Sequence, residues 1–188
     1  MKAAVIFSFL FLYAISLSAQ ASEKFFVGLE PAFLIAKSRD DVPGFPNFSV
    51  YRPSLLAGGK VTDYLEVAGR LQFLFGKGKG FEIENGWGYG LDSRLLVNEL
   101  LPLKDEWALR NLEYFVTAKF LAQDFELLRH GIPRKLTSGM NPEYRVGGGM
   151  GLRIFSSLWV RADLQYGKAR YGYRTGGMVN TASIIFKL

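Results

Sequence analysis

The stretch Leu158-Trp159-Val160-Arg161-Ala162-Asp163-Leu164-Gln165-Tyr166 alternates: Leu158, Val160, Ala162, Leu164 and Tyr166 are apolar, while Arg161, Asp163 and Gln165 between them are polar. Successive side chains of a β-strand point to opposite faces, so this run is a strand with one greasy and one wet face. The segment ahead of it repeats the pattern. Tyr144, Val146, Gly148, Met150, Leu152 and Ile154 share one side, and Arg145, Gly147, Gly149, Gly151 and Arg153 share the other. Ser156-Ser157 between the two reads as a tight turn.

Three earlier strands of the same kind lie further toward the amino terminus. Leu112, Tyr114, Val116, Ala118 and Phe120 alternate with Glu113, Phe115, Thr117 and Lys119. Trp87, Tyr89, Leu91, Ser93 and Leu95 alternate with Gly88, Gly90, Asp92, Arg94 and Leu96, and Leu65, Val67, Gly69, Leu71 and Phe73 with Glu66, Ala68, Arg70 and Gln72. Weaker strands cover 25–36, 51–61 and 178–188, which makes eight. The connections alternate in length. Residues 62–64, 102–106 and 156–157 are short connections, whereas 38–48, 76–85, 124–142 and 168–177 are long. Even-numbered antiparallel strands with short turns at one end and long loops at the other suit an all-β, eight-stranded up-and-down transmembrane barrel with its long loops outside the cell.

The first residues support export. Lys2 precedes an uncharged, mostly apolar run over 3–17, followed by Ser18-Ala19-Gln20-Ala21 with small residues where a signal peptidase reads. Residues 1–21 are therefore expected to be a cleaved signal peptide and 22–188 a single barrel domain of 167 residues (188 − 21). The longest uncharged stretch of that domain, 175–186, is too short and too glycine-rich for a membrane helix. There is no cysteine, so stability has to come from packing and a complete hydrogen-bond ladder. Aromatic residues make up 15% of the chain, a content that suits strands facing lipid.

Removing Lys2 with the signal lowers the formal charge from +6 to +5 (6 − 1). The cations are spread along the chain and interleaved with acids rather than gathered in a stripe, so nucleic acid is excluded as a partner. Phosphate-bearing envelope lipid is the more natural anion. Arg129, Arg134 and Lys135 in the 124–142 connection are candidate lipopolysaccharide contacts, with Lys77, Lys79, Lys168, Arg170 and Arg174 on the other outer connections. Ordinary solvated loop charge is the competing reading.

The inward set Arg70, Asp92, Arg94, Glu113, Lys119, Arg145, Arg153, Arg161 and Asp163 mixes both signs near strand middles. Such groups are expected to pair in a closed lumen, because an unpaired buried charge is costly and eight strands enclose little more than their own side chains. Trp87, Tyr89, Tyr166 and Tyr171 near the outer ends, and Tyr64, Trp107 and Trp159 near the short turns, read as two interfacial girdles. His130 is the only histidine. Acyl transfer would require a nucleophile and an orienting group within reach, yet Ser138 is eight residues away, so no catalytic residue is assigned. The paired glycines Gly88 and Gly90, and Gly147, Gly149 and Gly151, are followed by no helical period, which excludes a nucleotide loop, and neither cofactor nor metal is expected.

This combination of leader, strands and loop rhythm, with phrases such as Val146-Gly147-Gly148-Gly149-Met150-Gly151-Leu152-Arg153, resembles the small outer-membrane barrels of the OmpA transmembrane-domain, OmpX and opacity-protein type. The resemblance covers the whole expected mature chain. It implies a monomer in the outer membrane, folded by the outer-membrane assembly machinery, which in that group often reads a terminal aromatic. This chain has Phe186 two places before Leu188. It further implies a structural or surface-interaction role through the loops, in contact with outer-membrane lipid and lipopolysaccharide. A narrow channel, a lipid-handling barrel and a soluble periplasmic barrel with its apolar face inward are the alternatives, since alternation alone does not say which face points out.

Overall fold

The computed structural model describes residues 24–36, 48–78, 81–100, 111–129, 132–137, 140–170 and 174–188. The expected signal peptide, Trp107, His130, Ser138 and Tyr171 lie outside them. The strands are β1 (Phe25–Glu30), β2 (Ala32–Ala36), β3 (Phe48–Tyr51), β4 (Ser54–Thr62), β5 (Leu65–Gly78), β6 (Phe81–Leu96), β7 (Leu112–Arg129), β8 (Ile132–Thr137), β9 (Met140–Arg153), β10 (Leu158–Arg170) and β11 (Arg174–Lys187).

β1 with β2, and β3 with β4, are each one barrel strand interrupted by a proline, and β8 is a side piece paired to β7. Eight antiparallel strands result, in up-and-down order, and β11 closes on β1 through Val27↔Phe186 and Leu29↔Ile184. Following pairs around the wall from Phe26 gives Gly58, Ala68, Asp92, Lys119, Arg145, Gly167 and Gly177. The β11–β2 register, Asn180↔Phe33, carries this line on to Ala36. The ladder therefore climbs ten residues per circuit (36 − 26), the stagger that tilts the strands and sets the narrow bore.

Burial follows the predicted parity. Along β10, Trp159, Arg161, Asp163 and Gln165 are buried, while Val160, Ala162, Leu164 and Tyr166 are exposed. The exposed set is apolar on every strand: Leu29, Leu55, Phe73, Leu91, Val116, Val146, Leu164 and Ile184 are all more than a third accessible. A surface of that kind is stable only against lipid, so the chain is a transmembrane barrel with a polar inside.

Three expectations are corrected. The long connections 76–85, 124–142 and 168–177 are largely strand: β5 runs to Gly78 and β6 restarts at Phe81, β7 runs to Arg129, and β10 reaches Arg170. Beyond the lipid both faces meet water, so alternation fades while the ladder continues. The connection placed at 102–106 is longer, because β6 stops at Leu96 and a helical turn, Val97–Leu100, follows. Asn98 fastens that turn to β7, donating from Nδ2 to the carbonyl of Leu112 at 3.0 Å and accepting from the Tyr114 amide. Trp159, expected in the inner girdle, is instead buried in the lumen. Its outward neighbours Leu158 and Val160 leave it no other face.

The wall has one irregular patch. Ala32 and Arg52 exchange both backbone hydrogen bonds, at 3.3 and 2.7 Å, so Pro31 turns its nitrogen toward β11, where Ala182 stands in register. Pro53 accepts from the Phe73 amide at 2.9 Å but has no N–H to return. Each proline thus removes one ladder bond from a wall that no water reaches. We predict that Pro31→Ala raises the temperature at which the folded barrel converts to its unfolded gel mobility. The regained bond is worth at least about 1 kcal/mol in lipid and exceeds the roughly 0.5 kcal/mol of chain entropy lost with proline. An unchanged or lower conversion temperature would show that the carbonyl of Ala182 is already satisfied.

Candidate functional site

The inward side chains form three tiers along the bore. Nearest the short turns, Arg161 lies between Glu66 and Glu113, with Nη1 2.9 Å from Glu66 and Nε bonded to Glu113. Lys187 Nζ adds a contact to Glu113 at 3.1 Å and lies 4.2 Å from the centre of the Trp159 ring. Among the described residues two acids face two bases here, with the buried Trp159 ring beneath the Lys187 ammonium.

The central tier is built on Arg70. Its guanidinium forks onto Glu30 at 2.7 and 2.9 Å and onto Asp92 at 2.9 and 2.6 Å. Lys119 donates to Glu30 at 3.1 Å and reaches Asp163 at 3.5 Å, while Thr181 and Gln165 also donate to Asp163. Arg94 hangs below, 3.4 Å from Asp92. Three acids again meet three bases. Between these tiers Phe26 and Phe115 sandwich two guanidinium groups: each ring centre is 5.7 Å from the Arg161 Cζ and about 6 Å from that of Arg94. Planar cations stacked on ring faces shed water at low cost, which suits a pair of arginines to this position.

Toward the other mouth, Glu143 accepts from Arg52 and Arg145, both at 2.7 Å, and from Gln123. Among the described residues Arg52 and Arg145 both pair with Glu143, and neither terminal nitrogen of Arg145 has a hydrogen-bond partner. Leu74, Leu121 and Val179 are also buried on the inward face.

Glycines make room for these groups. A Cβ on Gly151 would come within 2.7 Å of the Glu113 Cγ and 3.1 Å of the Arg161 Cγ; one on Gly149 would come within 2.7 Å of the Phe115 ring. The alternating glycines of β9 are thus the cavity into which two neighbouring strands send their long side chains.

Of the nine residues predicted to face the lumen, eight are buried there: Arg70, Asp92, Arg94, Glu113, Lys119, Arg145, Arg161 and Asp163. Arg153 is not with them. It sits half-exposed at the end of β9, donating to the carbonyls of Phe155 at 3.4 Å and Ser156 at 3.0 Å, where it caps the turn. Glu30, Arg52, Glu66, Glu143 and Lys187 were missed. The β5 parity already placed Glu66 inward beside Arg70, and only the charge inventory overlooked it. Arg129 ends β7, and Arg134 and Lys135 lie in β8, with Leu128↔Lys135 and Arg129↔Ile132 in register.

A closed antiparallel wall, apolar outside and charge-paired inside, defines the class: an eight-stranded transmembrane barrel with the fold of the small outer-membrane barrels. No protein-family model and no curated protein matches the sequence. Solved structures do match in fold. Neisserial surface protein A aligns over 89% of this chain and 98% of its own, with a TM-score of 0.64 and 13% identity. The amino-terminal β-barrel domain of Pseudomonas aeruginosa OprF aligns over 87% and 97%, with a TM-score of 0.54 and 15% identity.

The tiers differ in what one loss would leave behind. Arg70→Met removes two bidentate pairs at once, leaving Glu30 only Lys119 and Asp92 only longer contacts to Arg94 and Lys119, and is expected to destabilise the barrel by about 3–5 kcal/mol. Arg145→Met leaves Glu143 still paired with Arg52 and is expected to cost under about 1 kcal/mol, as is Arg153→Ala at its half-exposed turn. Urea unfolding in detergent checks the order, and equal losses for Arg70→Met and Arg145→Met would contradict the tiered pairing.

Proposed function

We propose that this chain resides in a bacterial outer membrane as a monomer with a closed lumen, and that it acts through the strand extensions and connections at its outer mouth. The observation that carries this reading is the division of the wall: mostly apolar residues on the outward positions of the central strands, and opposite charges in contact within the bore. A soluble ligand-binding barrel would have the reverse arrangement. In the small-barrel fold the long extensions face outward and the short turns face the periplasm. That orientation puts Arg129, Arg134 and Lys135 at the cell surface, in reach of lipopolysaccharide or of an envelope or host protein. Phe186 and Leu188, on the outward face at the carboxyl end, are what the assembly machinery would meet.

Function then lies at the rim rather than in the bore. An ion entering the lumen would have to separate charges about 3 Å apart with little water to replace the lost partner, a cost of several kcal/mol per group. In planar bilayers the purified protein is expected to show at most rare, small openings. A steady ion-selective conductance would overturn the closed-lumen reading in favour of the channel. Trypsin added to intact cells with shortened lipopolysaccharide is expected to cut within residues 129–135. Cleavage only after permeabilisation would reverse the orientation.

A further inference from the structure

We propose that the bore holds one monovalent anion of chloride size, bound between the guanidinium fork of Arg145 on β9 and the amide of Gln72 on β5. The ion is enclosed as the barrel folds. The inference therefore rests on the closed-lumen reading above and adds a resident ligand to it.

Arg145 is 1% exposed, and its Nε donates to Glu143 at 2.7 Å. Its two terminal nitrogens are buried without a hydrogen-bond partner. Among the described residues Glu143 is its one acidic partner, and that carboxylate also accepts from Arg52 and Gln123. The acids of the central tier are engaged elsewhere: Asp163 takes Lys119, Thr181 and Gln165, while Glu30 takes Arg70 and Lys119. Burying charged donors without acceptors is costly, and a guanidinium fork is shaped to hold an anion through paired, charge-assisted hydrogen bonds.

Gln72 is the second half of the site. It is fully buried, and neither its Nε2 nor its Oε1 has a partner. Its cross-strand neighbours offer none, since Ser54 Oγ donates to the carbonyl of Arg52 and Gly88 has no side chain.

The ladder puts the two groups at one level. Ala68, Asp92, Lys119 and Arg145 are successive register partners, and a climb of ten residues over eight strands lifts this line by about four over its three steps. Gln72 stands four residues above Ala68 on β5, so it is level with Arg145 and nearly across the bore from it. Gly167 gives the Arg145 stem its room: a Cβ there would lie 3.1 Å from the Arg145 Cγ. Gln165, two residues below Gly167, shares this level, with Nε2 given to Asp163 and Oε1 unpartnered. Three unpartnered donor nitrogens, two of them on a cation, thus stand against two amide oxygens. That excess selects an anion, and a water carried with it can serve the two oxygens.

The test refolds the full mature protein into phosphatidylcholine vesicles in sodium chloride, bromide or gluconate at one ionic strength, gluconate being too bulky for the site. The temperature at which the folded barrel converts to its unfolded gel mobility is expected to be about 2 °C higher in chloride and bromide than in gluconate. Arg145→Met and Gln72→Leu are each expected to erase the difference, and Arg153→Ala to keep it. Crystals of unmutated protein refolded in bromide are expected to show an anomalous peak within hydrogen-bond distance of the Arg145 terminal nitrogens. Equal conversion temperatures in the three salts overturn the proposal, as does a difference that survives in Arg145→Met or a crystal with water alone at the fork. A steady chloride conductance of the unmutated protein would instead sink the closed-lumen reading, and with it the enclosed ion.

Discussion

Every backbone N–H and C=O of a strand inside lipid must find its partner within the wall, because no water is there to accept or donate. A sheet meets that demand only by closing on itself. Closure at eight strands with a ten-residue climb leaves a narrow bore in which the described inward side chains pack against one another. The outward face has to be apolar, and the inward polar groups have to satisfy one another. The Pro31 and Pro53 interruptions show the demand from the other side: even there Ala32 and Arg52 keep both of their backbone bonds.

The charged tiers follow from the same geometry. Removing the six carboxylates and seven cations among the described lumen residues from water would be prohibitive one at a time, and the lumen solves this by sharing. Arg70 serves two acids with five-donor geometry that lysine could not supply, and Lys119 bridges from the far wall to Glu30 and Asp163. Pairs that join strands far apart in sequence also fix register, since a one-residue slip of β5 would carry Arg70 and Glu66 into lipid and Leu71 into the charge cluster.

Much of this was legible in the sequence because lipid on one side and a charge cluster on the other impose a strict two-residue period. Leu164 and Gln165 could be placed on opposite faces without coordinates, and so could eight of the nine predicted lumen charges. What escaped lies where the period weakens. Glu30 precedes a proline that breaks its strand, Glu143 lies where the pattern merges with a water-facing extension, and Arg153 keeps its parity but reaches a turn carbonyl because its strand is ending. Trp159 is different: its neighbours' parity placed it inside, and the expectation that tryptophan prefers an interface was the wrong prior for it. Contacts between tiers, such as Arg52 with Glu143, depend on the climb of the ladder, which no local pattern records.

The central claim is the sidedness of the wall, and the absence of cysteine makes it open to direct measurement. Single cysteines placed at each position from 158 to 170, spin-labelled in vesicles, report collision rates with lipid-dissolved oxygen and with a water-soluble nickel chelate. The account predicts high oxygen access at 160, 162, 164 and 166 and low access to both reagents at 161, 163 and 165, the signature of lipid outside and a filled polar core within. The opposite phase, with the even positions shielded and the odd ones open to the chelate, would mean an apolar interior and a wet exterior, and would contradict it.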